Sequence, residues 1–330
     1  MRRLVFLVLL AALFFSLGCI STEQEKKPQN LTTLRIGYQP MAHQVAAMVA
    51  QAKGWWLEDL KPFGVKEVKT FPFPFGGPEI KSMGSGDLDV IYICASPTIA
   101  PISQGLDAKI VAAVDTNGSN LVFRNGVNFN GAQSLKGLRI ATYPRGTVQD
   151  VLLKMWLADN GVNISSVNLT AMAPGDAVNA ILEGKVDGVF APTPAQALIE
   201  LAGKGKTVLT SGEMFPKHAC CVVVVSGKLI RENPALVEQI VKTHINATRF
   251  VIDNPAETAR IYANMTGQDL KMIEYAMNTT DISYITDPNL IINSTLALAK
   301  FQHELNYTQK ELTKEDLFDT SFYDRASKGG

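Results

Sequence analysis

Four cysteines among 330 residues are too few for a disulfide framework, so the folded part of the chain must be held by its apolar core. Charge of either sign is also missing in excess: 31 basic residues balance 31 acidic ones, and no basic stretch points to nucleic acid. Beyond residue 20 no run approaches the roughly 18–20 apolar residues of a membrane-crossing helix, so the remainder is expected to be soluble. Catalytic signatures are absent as well. There is no G-x-S-x-G elbow, H-E-x-x-H pair, Walker loop or G-x-G-x-x-G turn. His244 and His303 fall in helical stretches away from the predicted strand ends. A binding role needs none of these.

What is present begins at the N-terminus. Arg2 and Arg3 precede an apolar run from Leu4 to Leu17, broken only by Ser16, and Gly18-Cys19 closes it. A charged start, an apolar middle and a small residue before a cysteine read as an export signal, residues 1–19. The run is too short for a permanent anchor. Residues 20–30 are polar, of mixed charge and without aromatics, and read as a flexible linker. About 300 residues remain, enough for one large domain or two medium ones. Asn-x-Ser/Thr sites begin at Asn30, Asn117, Asn163, Asn168, Asn246, Asn264, Asn278, Asn293 and Asn306, an excess that fits an N-glycosylated exterior or a chain simply rich in Asn and Thr.

From Leu34 onward strands alternate with helices. Leu34–Tyr38, Val65–Phe71, Asp89–Cys94 and Lys109–Val114 read as strands, with helices after His43 and over Glu79–Ser85 and Thr98–Gln104. The pattern restarts near Ser134: Leu135–Thr142, Val167–Ala171, Asp187–Ala191 and Thr207–Thr210 are strand-like, and Thr147–Asn160, Asp176–Glu183 and Pro194–Ala202 helical. Val222–Val225 is a continuous apolar strand of the buried kind, and everything after it reads as helical. Two tandem α/β units with mostly parallel sheets follow from this order. The chain is expected to cross between them near Leu121–Asn125 and Ala219–Val224, giving lobe one as 31–122 plus 223–330 and lobe two as 123–222.

Several segments together resemble the nitrate/sulfonate/taurine-type solute-binding proteins of ABC importers. They include Arg35-Ile36-Gly37-Tyr38, Ala52-Lys53-Gly54-Trp55-Trp56, Gly76-Gly77-Pro78, Ser85-Gly86-Asp87-Leu88-Asp89 and Gly105-Leu106-Asp107. In the second unit they include Leu135–Ala141, Gly146-Thr147, Pro174–Ala177, Glu183–Gly188 and Asn233–Val237. The resemblance covers about residues 33–265. It implies a two-lobed periplasmic-binding-protein type II fold, closing at a hinge over a small solute, with ABC permease and ATPase subunits as partners. No cofactor, metal or catalytic residue is implied, and the protein is expected to be a monomer. Gly18-Cys19 likewise resembles the lipobox of prokaryotic lipoproteins, although Ser16 stands where an aliphatic residue is usual. Lipidation at Cys19 would hold the protein on the outer face of the cell membrane. The same superfamily includes thiamine-pyrimidine synthases, which this chain resembles at His43 and Asn233-Pro234. Their cysteine cluster is reduced here to His218-Ala219-Cys220-Cys221, so a pyrimidine-precursor binder or such an enzyme is the alternative.

In open α/β sheets ligands sit beyond the carboxyl ends of the strands, where helix N-termini offer N–H groups to small anions. The candidate ligand residues are therefore in those loops. After the first strand come Gln39 and His43, the latter a donor to a ligand or a local helix cap. After the second, Phe75 can wall an apolar part of a ligand while Gly76 and Gly77 admit its close approach. After the third, Ser96 and Thr98 supply hydroxyls beside a helix-starting proline. In the second unit Arg145 can pair with a negative group, Gly146 and Thr147 supply N–H groups and a hydroxyl, and Thr193 stands at the mouth. His218, Cys220 and Cys221 are too close in sequence for a usual zinc knuckle, and read as a pocket-edge loop and the start of a buried strand.

Overall fold

The computed structural model describes residues 31–329, so the export signal, Cys19 and the linker lie outside the described residues. The first sheet is built on alternation and burial. Strands β1 (Thr33–Tyr38), β2 (Glu67–Pro72), β3 (Val90–Cys94) and β4 (Ala108–Ala113) are joined by helices that pack on its faces, among them Val45–Ala52, Gly76–Gly84 and Ser96–Ser103. A two-residue strand, β5 (Asp115–Thr116), leads out of this unit. Strands β6 (Ser119–Arg124), β7 (Arg139–Thr142), β8 (Asn168–Ala171), β9 (Gly188–Pro192) and β10 (Gly205–Thr210) make the second sheet, and β11 (Cys221–Ser226) returns to the first. The orders are β2-β1-β3-β11-β4 and β10-β6-β9-β7-β8. Each sheet is parallel except for one strand supplied by a crossing. In the first it is β11, antiparallel to β3 and β4; in the second it is β6, antiparallel to β9 and β10.

Continuous apolar sequence explains the middle of the first sheet. Every residue of β3 is buried, as are Cys221–Val225 of β11 beside it, because helices cover both faces. Tyr92 in β3 is fully buried and meets Trp56 and His244 edge-on. Of the C-terminal helices, Pro234–Asp253 and Pro255–Thr266 pack on this unit, Leu270–Asn278 reaches the second, where the Tyr275 hydroxyl donates to Glu200, and Ile292–Glu304 touches helices of both. A last two-residue strand, β12 (Ser283–Tyr284), pairs with β5 and closes over the crossing. Among the described residues no helix is long and apolar enough to cross a membrane.

The two units repeat one another down to an ion pair. In the first, the Arg35 N–H and Nε donate to Asp89 Oδ2 at 2.9 and 3.0 Å, and its NH2 to Asp89 Oδ1 at 2.8 Å. In the second, the Arg139 N–H and Nε donate to Asp187 Oδ2 at 3.0 Å each, and NH2 to Oδ1 at 2.9 Å. Each fork ties the first residues of a parallel strand to the loop entering its neighbour in the sheet, β1 to β3 and β7 to β9. The arginine stems are partly exposed while the carboxylates are nearly buried, so desolvation strengthens the pairs relative to surface ones.

Four local readings differ from the sequence expectation. Ser119–Arg124 is a full strand of the second sheet, so the chain leaves the first sheet at residues 114–118, before the expected Leu121–Asn125. Likewise Cys221 and Val222 already pair within the first sheet. The strand expected over Leu135–Thr142 starts only at Arg139, since Ala132–Leu135 forms a 3₁₀ turn and Gly137 takes φ +75°. Trp55–Leu60, after Gly54, forms an additional helix. Of the eight asparagines in Asn-x-Ser/Thr sites among the described residues, Asn117 alone is not exposed; it lies in the crossing.

Candidate functional site

The carboxyl ends of β2, β3 and β7 face one another across the gap between the sheets. The loops and helix starts there enclose a cleft of ≈ 620 Å³ lined by Phe75, Gly77, Ser96, Arg145, Gly146 and Thr147, with Gln302 from the C-terminal helices. That volume is in the range of small-molecule sites. Six of the expected ligand residues thus line one cavity. The lobes also touch: Ser96 Oγ donates to the Gly146 carbonyl at 2.9 Å. Gln302 Nε2 in turn donates to the Ser96 carbonyl and lies 2.8 Å from Ser96 Oγ, while its buried Oε1 has no partner among the described residues.

Charge beside the cleft is arranged around the buried Asp150. Its Oδ2 accepts the Gly146 N–H at 3.0 Å and the Tyr307 hydroxyl at 3.0 Å, and its Oδ1 lies 2.5 Å from Lys154 Nζ. The helix Val148–Asp159 is capped by Thr147, whose hydroxyl accepts the Asp150 N–H. The helix start therefore already holds a carboxylate of its own, and the positive charge turned to solvent is Arg145. Its guanidinium stacks on Tyr307, 4.0 Å from the ring centroid, and NH2 donates to the Asn306 carbonyl at 3.2 Å. Gly76 is packed against Pro97 and Ile93, with no room for a Cβ.

The other expected residues lie deeper. Gln39 is buried and donates from Nε2 to Glu79 Oε2 at 2.8 Å. Burial pushes the Glu79 carboxyl well above the ordinary carboxylate range, opposed by the hydrogen bond from Gln39. The Thr98 hydroxyl donates to the Ala95 carbonyl at 2.7 Å, within the first turn of its own helix. Thr193 donates to the Gly118 carbonyl at 3.1 Å and meets the Thr280 hydroxyl at 2.8 Å. His43 is fully buried, with Nδ1 2.6 Å from Asp115 Oδ2 and Nε2 3.1 Å from the Gly118 carbonyl. Burial opposes its imidazolium form, but the Asp115 carboxylate outweighs this and raises its pKa. These contacts fasten β1, β5 and the crossing at Gly118 to one another. Four residues that sequence reasoning did not select join the cleft wall or its charge network: Gln302, Tyr307, Asp150 and Lys154. Two of them come from the helical tail, where no local motif marks them.

Comparison with known proteins gives concordant matches. Residues 27–267 match the NMT1-like family. A putative aliphatic sulfonates-binding protein of Bacillus subtilis (strain 168) is 26% identical over 333 residues, 98% of each chain. A putative ABC transporter periplasmic binding protein of Brachyspira hyodysenteriae is 25% identical over 213 residues, 60% of this chain and 59% of the other. Among solved structures, the alkanesulfonate-binding protein SsuA from Xanthomonas axonopodis pv. citri, bound to MOPS, superposes with a TM-score of 0.76 at 18% identity, covering 88% of this chain and 99% of the other. The periplasmic nitrate-binding protein NrtA from Synechocystis PCC 6803 does so with a TM-score of 0.76 at 15% identity, covering 91% and 89%. These likenesses show the two-lobed periplasmic-binding-protein fold.

Proposed function

The chain belongs to the NMT1-like family, and from that premise we propose that it is the extracytoplasmic solute-binding protein of an ABC importer, taking a small anion such as an alkanesulfonate, taurine or nitrate. The observation that carries the reading is the cleft itself. It lies beyond the strand ends of two repeated α/β units, is lined from both, and has Arg145, Phe75 and Ser96 among its lining residues. A guanidinium suits a sulfonate or nitrate oxygen pair, and Phe75 suits an alkyl tail. The names of the relatives in Bacillus subtilis and Xanthomonas support the same solute class. No catalytic step is assigned to the cleft.

Two finer points belong to the same reading. Lipidation of Cys19 would tether the protein to the outer membrane face and leave the domain on its linker beside the permease. Closure of the lobes, with Ser96 bonded to Gly146, would present the loaded form to that permease. A thermal-shift panel of alkanesulfonates, taurine, nitrate, bicarbonate and pyrimidines tests the proposal. Saturation at about 100-fold above Kd adds about 2.7 kcal/mol to stability, a clear rise in Tm. A response to pyrimidines alone would transfer the reading to a heterocycle binder, and no response at all would remove it.

A further inference from the structure

Separate strand ends bring thiols, an imidazole and a carboxylate to one buried point beside the crossing. His43 follows β1, Cys94 ends β3, Asp115 begins β5, and Cys220 and Cys221 lead into β11. His43, Asp115, Cys220 and Cys221 each offer a donor atom, and these atoms all lie within 4.8 Å of one another. Cys94 Sγ is 3.4 Å from Cys221 Sγ. The sequence had placed only His218, Cys220 and Cys221 together. The fold supplies the missing donors from other strands.

The hydrogen bonds place either a proton or a metal ion at this point. Neutral imidazole carries one N–H, yet both ring nitrogens of His43 face acceptors: Nε2 the Gly118 carbonyl at 3.1 Å, and Nδ1 the Asp115 carboxylate at 2.6 Å. With the Nε2 proton given to Gly118, the Nδ1 lone pair and the carboxylate require a positive charge between them, either a second proton or a metal ion. Cys220 Sγ is a further 3.3 Å from the same Nδ1. The surroundings suit a metal. A carbonyl that accepts from the far nitrogen is the usual means of orienting a ligating imidazole, Gln44 Nε2 donates to Cys221 Sγ at 3.6 Å, and the Cys221 N–H donates to Asp115 Oδ1 at 2.8 Å. Nearby His218 is buried, and its Nε2 has no hydrogen-bond partner among the described residues.

We propose that His43, Asp115, Cys220 and Cys221 form a binding site for one thiophilic d¹⁰ cation, Zn(II) or Cu(I), with Cys94 replacing Asp115 when the ion is Cu(I). Thiolate and imidazole donors select these ions, and a carboxylate completes a tetrahedron for zinc but not for the softer copper. On binding, each thiol and the His43 Nδ1 release their protons to solvent, and the ion takes up the vacated lone pairs; no electron is transferred. None of these residues lines the cleft, so the site stands apart from the solute reading.

Metal-free, reduced protein titrated with Co(II) alone tests the proposal. One Co(II) per chain should bind with a thiolate-to-cobalt charge-transfer band, and Zn(II) should bleach it. In a separate arm, Cu(I) should bind the Asp115→Asn protein as tightly as the wild type, whereas Zn(II) binding to that variant falls. Cys220→Ser/Cys221→Ser should lose the band and weaken Zn(II) binding by roughly 100-fold or more. Should that variant fail to fold, alkylation of the unaltered protein decides. Zn(II) must then protect Cys220 and Cys221 from iodoacetamide in mild denaturant, as mapped by mass spectrometry. No band with no protection, a band that survives in the folded double variant, or a Cys94–Cys221 disulfide in the isolated protein would each overturn the site.

Discussion

Gly118 is the point at which the crossing touches both lobes, and Gly118→Ala is the sharpest probe of that geometry. The residue has φ +88°, where an L side chain is strained by about 1–2 kcal/mol. A Cβ would stand 2.3 Å from His43 Cε1 and 2.4 Å from Ile282 Cγ1. His43 has no room to retreat, being fully buried and held by Asp115 at 2.6 Å, so overpacking adds about 1–3 kcal/mol. The sum is roughly 2–5 kcal/mol of lost stability. Gly126→Ala is the control: its φ is +84° but nothing lies within 4 Å of the added Cβ, which leaves the backbone strain of about 1–2 kcal/mol alone. Urea denaturation of both variants and the parent measures the difference at constant m-value. Equal costs for the two substitutions would refute the close approach of His43 and Ile282 to the crossing.

Other expectations follow from the ion pairs, the buried histidines and the cleft. Asp187→Asn leaves Arg124 and Arg139 facing a neutral amide and should cost roughly 2–4 kcal/mol in thermal or urea unfolding. Because hydrogen bonds from Arg139 hold the Asp187 carboxyl below the ordinary range, that gap is full at neutral pH and should shrink as pH falls below about 4, where the unfolded carboxyl protonates. His244 donates to the Ala113 carbonyl at 2.7 Å, and burial pushes its pKa down to about 4. The unfolded chain therefore takes up the proton first, stability should fall between about pH 6.5 and 4, and His244→Gln should flatten that slope by up to roughly 3 kcal/mol. An unchanged slope in urea titrations at pH 7 and 5 would contradict the buried neutral imidazole. Arg145→Ala should weaken anion binding at least tenfold in calorimetry while moving Tm little, since the side chain is exposed and contributes one stacking contact. Undiminished affinity would remove Arg145 from the site.

The fold was largely legible in the sequence because strand and helix patterns alternate, and because each β-to-α loop carries a glycine or proline signal. Ser119–Arg124 escaped notice since it is short, buried on both faces and placed where a crossing was expected. The cleft was legible on the sides that motifs mark, at Phe75, Ser96 and Arg145–Thr147. Gln302 and Tyr307 were not, because they reach Ser96 and Arg145 from far along the chain, 206 residues in the case of Gln302, and belong to no local pattern. His43 was conspicuous at a strand end, but its function as the link between β1 and the crossing depends on Asp115 and Gly118, which only folding brings near. The matching Arg35–Asp89 and Arg139–Asp187 forks show the limit from the other side. Their residues stood in the motifs that carried the family resemblance, and only the fold shows why an arginine at a strand start accompanies an aspartate before the strand beside it in the sheet.

The central claim is that a small solute occupies the interlobe cleft. Isothermal titration of the solute that gives the largest thermal shift, against the parent protein and Ala100→Trp, tests it most directly, since Ala100 lines the cleft and an indole there would obstruct it. One-to-one binding by the parent, abolished in the tryptophan variant with its fold intact, is the predicted result. Unchanged binding in the plugged protein would contradict the assignment of the site.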